Sequence, residues 1–113
     1  MIDAAVIREI ISVYAKHGWT LRRVLLSDKL SKSIGAETNI LFADSPVKIS
    51  DIDAVWFSRE TQNDGTAWEI RHLSSAPFAL VVVVKEDSVE LDDVLSGAEN
   101  RLRETVGKRI TGH

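Results

Sequence analysis

The sequence predicts a single α+β domain spanning 1–113, an antiparallel sheet of about four strands with an N-terminal and a C-terminal helix packed on one face. Three observations carry that prediction. Both ends of the chain show apolar residues at helical spacing. The stretch 53–85 holds three apolar runs of strand length separated by short turns. No linker, repeat or low-complexity tract divides the chain. Short links between strands imply antiparallel pairing, because a parallel connection needs a long crossover. Two amphipathic helices in turn need an apolar sheet face to cover.

Residues 2–17 form the first predicted helix. Stepped at about 100° per residue, Ile2, Val6, Ile7, Ile10, Ile11, Val13 and Tyr14 fall on one wide arc. Arg8, Glu9, Ser12, Ala15 and Lys16 fall on the other, and His17-Gly18 provides a stop. The run "WTLRRVLLS" at 19–27 reads as a strand. Residues 28–46 carry no clear period. Ser27 or Asp28 can cap a short helix to Ile34 that Gly35 closes, and "TNILFADSP" is either a further helical turn or an extended connection. Pro46 holds its predecessor extended ahead of "VKI", a short strand.

Two strands follow, "DAVWFSRE" (53–60) and "TAWEIRHL" (66–73), joined through Asn63-Asp64-Gly65 with Gly65 expected at positive φ. That turn would pair Gln62 with Thr66, and so set Arg59 opposite Glu69, Phe57 opposite Arg71 and Trp56 opposite His72. The unbroken apolar run "PFALVVVVK" (77–85) predicts a strand that is central or covered on both faces. The last helix is capped by Asp87 or Ser88. Asp92 and Asp93 lie early in it, and Arg101 and Arg103 late, as the helix dipole favours. Its inward stripe is Leu91, Val94, Leu95, Ala98, Leu102 and Val106, and Gly107 is its expected end.

Composition narrows the function classes. The 113 residues are 44% apolar and 27% charged, as expected of a soluble globular domain. No cysteine is present, which removes disulfides, thiolate catalysis and Cys-ligated zinc, and fits a reducing compartment. The opening "MIDAAVIREI" lacks the basic n-region of a secretory signal, and "APFALVVVV" is far shorter than the roughly 20 residues of a membrane helix. A cytoplasmic location is therefore the expectation, with no membrane association. A net charge of −3 disfavours nucleic acid as a partner.

Candidate chemistry concentrates in 53–73. Asp53 and Glu69, on neighbouring strands, are the pair that could hold a divalent cation through oxygen ligands. Asp53 with Glu69-Ile70-Arg71 resembles the D…E-x-K core of restriction-type nucleases, but Arg71 stands where that motif has its lysine. Arginine stays charged and cannot serve as an adjustable base. The histidines are His17, His72 and His113, at no metal-ligand spacing. No serine sits in a nucleophile elbow, and neither a dinucleotide nor a P-loop glycine pattern occurs. No cofactor is expected.

Strand alternation sends Val55 and Phe57 to one face and Ala54 and Trp56 to the other, so both faces carry large apolar groups. Two helices on one face would leave the second to be covered by 28–46, by a second subunit or by a ligand. The leading expectation is thus a protein-interaction or regulatory domain acting as a homodimer through its sheet. Trp56, Arg59, Trp68, Glu69, Arg71 and His72 are the contact or binding candidates. The alternative is a nuclease-like metal-dependent enzyme or small-ligand binder built on the carboxylate, arginine and histidine cluster.

Overall fold

Asp3 opens the first helix, α1 (Ala4–Lys16), its carboxylate accepting the Val6 N–H at 3.0 Å. In this computed structural model the described residues are 3–43, 45–61, 65–74, 78–85 and 90–111, without the side chains of 107–111. The helix ends at His17, and Gly18 takes a φ of 85° as the chain turns into β1 (Thr20–Leu26). Ser27 then caps α2 (Asp28–Ile34), its hydroxyl accepting the Leu30 N–H at 3.2 Å. A single 3₁₀ turn leads to α3 (Thr38–Phe42). The segment without a clear period is therefore two short helices, which bury Leu30, Ile34, Leu41 and Phe42.

β2 (Val47–Ile49), β3 (Ala54–Glu60), β4 (Gly65–His72) and β5 (Ala79–Lys85) complete one sheet in the order β2-β1-β3-β4-β5. The expected α+β class holds, with five strands and a mostly antiparallel sheet. One pair, β1 with β2, is parallel. That pairing is possible because α2 and α3 supply the crossover that a parallel link requires. α4 (Leu91–Thr111) closes the chain.

The terminal helices do not share a face, contrary to expectation. α1, α2 and α3 bury Ile7, Leu30, Ile34 and Phe42 against Val24, Leu26, Val55 and Phe57. α4 buries Leu95, Ala98 and Leu102 against Leu25, Ala54, Trp56, Trp68 and Ile70. The cause lies in β3, where five consecutive residues from Ala54 to Ser58 are buried. A strand with apolar groups on alternate sides needs a cover on each. α4 also runs past Gly107 to Thr111, since an interior helical glycine costs only about 1 kcal/mol. Its expected cap at Asp87 or Ser88 lies outside the described residues.

Two strand expectations are corrected as well. The all-apolar strand β5 is an edge strand, and only every second residue of it faces α4. Val84 is buried there, whereas Val81 and Val83 on the other side are 53% and 64% exposed. β3 is the central strand instead. The β3–β4 register differs by two residues: Arg59 pairs with Ala67, Phe57 with Glu69, Val55 with Arg71, Trp56 with Ile70 and Ala54 with His72. The ladder closes at Thr61, whose N–H reaches the Gly65 carbonyl at 2.9 Å. Gly65 thus belongs to the strand without a positive φ, and a Cβ there would meet the Val84 carbonyl at 3.2 Å. Residues 62–64 of the turn lie outside the described set. A shift by two keeps every side chain on its expected face.

Candidate functional site

The sheet divides the six candidate residues. On the α4 side, Trp56 is fully buried, and its indole N–H donates to Glu99 on α4 at 2.8 Å. Trp68 meets it edge-on, with ring centroids 6.2 Å apart and planes at 78°. His72 shares this face, its Nδ1 2.9 Å from the Ser74 hydroxyl. Burial holds its pKa below the usual imidazole value and the Arg71 charge adds to that, while Asp53 pulls the other way.

On the α1 side, Glu69 accepts a hydrogen bond from the Tyr14 hydroxyl, and Arg71 donates to the His72 carbonyl. Arg59 lies over the Trp19 ring at 5.4 Å and donates to the His17 carbonyl at 3.2 Å. Asp53 is engaged elsewhere. Its carboxylate accepts the Ser27 N–H at 2.5 Å and the Ser27 hydroxyl at 3.2 Å, which fixes the start of α2. Glu69, Arg71 and His72 therefore do not converge, and Asp53 and Glu69 hold separate partners. Among the described residues no group of three or more His, Asp or Glu side chains is placed to hold a metal.

What the fold leaves open is the α1 side of the sheet towards β5, where Ala79, Val81 and Val83 are exposed while Ala67 of β4 is buried. A groove of about 280 Å³ runs there, lined by Val6, Glu9, Ile10, Val13, Tyr14 and Arg71. Val6 and Val13, expected on the buried arc of α1, are 41% and 45% exposed. Beyond the groove stand Val81 and Val83 on the open edge.

The backbone of that edge has a definite polarity. His72 N–H donates to the Phe78 carbonyl, so the hydrogen-bonded pairs with β4 fall on even-numbered β5 residues. Ala79, Val81, Val83 and Lys85 consequently turn their N–H and C=O groups outward. Sequence reasoning missed Val81 and Val83 because an apolar run states that a strand is buried but not which strand is last in the sheet.

No described helix is long and apolar enough to cross a membrane. In comparisons with protein-family models, curated proteins and solved structures the chain matches none, and its own geometry is what a functional reading stands on.

Proposed function

We infer that this is a non-catalytic protein-interaction domain that pairs with a second copy of itself through β5, in the reducing cytoplasmic setting that a cysteine-free chain suits. The observation that carries the reading is the β5 edge: two half-exposed valines beside outward-facing backbone groups, with no charge from Ala79 to Val84 to discourage pairing. An antiparallel two-fold centred on Val82 sets Val81 of each copy opposite Val83 of the other. Both are residues with free backbone groups, so the pairing continues the ladder in register. The groove along α1 extends the apolar contact on the same face.

Two valines per copy at this exposure supply only about 1 kcal/mol each, against an association cost of several kcal/mol. Ladder hydrogen bonds and the α1 groove must add the rest, and the pairing is reversible. The alternative enzyme receives no such support, because its carboxylates, arginine and histidine have separate partners.

Light scattering across a concentration series tests the reading. The expected mass rises from one 12.5 kDa chain to two. Val81→Lys with Val83→Lys holds it at one chain while the unfolding midpoint stays put. A wild-type mass of one chain up to about 0.5 mM, where even a weak dimer forms, rules the pairing out.

A further inference from the structure

On the α4 side of the sheet a second cavity, of about 540 Å³, opens where no α4 residue lines it. Its floor is a row of three paired strand residues, Thr20, Ser58 and Trp68. Arg22 stands at its wall by way of a bulge. The β1–β3 register passes from Leu21 opposite Phe57 to Arg23 opposite Trp56, so Arg22 is an extra residue with no partner of its own. The bulge brings two successive guanidinium groups over one ring: Arg22 and Arg23 lie 5.6 and 5.8 Å from the centroid of Trp68.

The two arginines differ in what else they touch. Arg23 is paired with Asp92 at 2.9 Å. Arg22 forms no ion pair or hydrogen bond among the described residues, and its charge is directed at the cavity. An arginine over an indole is ordinary surface packing by itself, worth about 0.5–1 kcal/mol. Ser58 sets this one apart. It is 6% exposed, lines the cavity, and its hydroxyl has no hydrogen-bond partner among the described residues. The oxygen itself is open to water in the cavity, since none of the described residues holds a buried side-chain nitrogen or oxygen without a partner, and it is free to turn to a ligand there.

We propose that this cavity binds a small organic oxyanion, with its phosphate or carboxylate group on the Arg22 guanidinium and over the Ser58 and Thr20 hydroxyls. The planar fork of arginine matches two oxygens of such a group. The volume lies in the range of small-molecule sites and exceeds what a bare ion fills, so Trp68 and Thr66 are left to face the rest of the ligand. Glu60 at the rim is exposed, where water screens its opposing charge. Arg59, also at the rim, turns its guanidinium away to the Trp19 ring and the His17 carbonyl, which leaves Arg22 as the cation of the site. The site shares no residue with the β5 edge, and it stands or falls apart from the pairing.

Inorganic phosphate and acetate are the probes, titrated separately at ionic strength matched with sodium chloride. The readout is the Trp68 indole N–H resonance, assigned through Trp68→Phe. A saturable shift with either ion is expected, and the tighter of the two identifies the group. Arg22→Ala should weaken binding about tenfold or more, the loss of a charge-assisted hydrogen-bond pair. Ser58→Ala should weaken it a few-fold while leaving the unfolding midpoint unchanged or raised, which a purely structural serine would not do. Lys32→Ala, whose lysine pairs with Asp28 on α2, should bind as wild type. A non-saturating shift with both ions, or an Arg22→Ala titration identical to wild type, overturns the proposal.

Discussion

Tyr14 shows how a single side chain joins the α1 layer to the sheet. Its ring stacks on Phe57 with centroids 4.0 Å apart and planes at 7°, and its hydroxyl reaches over to Glu69. Burial raises the phenol pKa, and the hydrogen bond to Glu69 and that residue's charge add to it, so Tyr14 remains a donor throughout the physiological range. Tyr14→Phe keeps the stack and strips the carboxylate of its donor. The expected cost is about 1–2 kcal/mol in urea unfolding, the lower part of the range for hydrogen bonds to charged groups because both partners are only half-buried.

His72 gives a pH dependence of known sign. Its folded pKa lies below the ordinary value of 6.5, so the folded state resists the proton that the unfolded chain accepts. Stability from this residue is complete above pH 6.5 and declines as the pH falls below it. In His72→Gln the loss of stability between about pH 7 and pH 5 should be visibly shallower than in wild type. Equal slopes would mean that another group carries the dependence. At this scale the sequence was legible in part. The face of each strand residue followed from alternation, whereas partners such as Glu99 for Trp56 stand 43 positions away with no local spacing to announce them.

The elements were most readable where their period was long. α1 and α4 showed themselves by amphipathicity and β3 and β4 by alternation, with α1, β3 and β4 within a residue or two of their ends and α4 running four residues past its expected stop at Gly107. α2 and α3 were not equally readable, since helices of seven and five residues are too short to display a period. Their ends nonetheless follow one rule. Gly35 after α2 has φ 57° and ψ −126°, and Ala43 after α3 has φ 48° and ψ −121°. Only glycine adopts that conformation without strain, and the second helix places an alanine in it. Ala43→Gly should therefore raise stability by about 1 kcal/mol in thermal unfolding, despite the added freedom of the unfolded chain. A destabilised variant would show that the turn tolerates its alanine.

The molecule as a whole is a three-layer arrangement, helices outside and one sheet between. Reading two helices onto one face left the other face bare and pointed to a second subunit as its cover. The chain covers both faces itself, but unevenly: α1 to α3 over one part of the sheet and α4 over another. That unevenness is a property of three dimensions, set by where each loop returns its helix, and alternation along a strand does not contain it. The apolar surplus noticed in the sequence was real, but it resides at β5 rather than in the tryptophans. Trp56 and Trp68 are interior residues, 0% and 6% exposed.

The two edges of the sheet differ in a way that bears on how an assembly would end. β2 is three residues long, follows directly on Pro46, which has no N–H to offer, and carries Lys48 at its middle. β5 is seven residues long and has none of these guards before Lys85. A sheet with two receptive edges adds copies head to tail and grows into a fibre, because each addition leaves a new edge exposed. Under the proposed pairing the receptive edge would meet only its own duplicate, and that meeting would use up both. The short parallel strand at the far side would then act as a terminator: polymerisation would have no second step, and the count would stop at two.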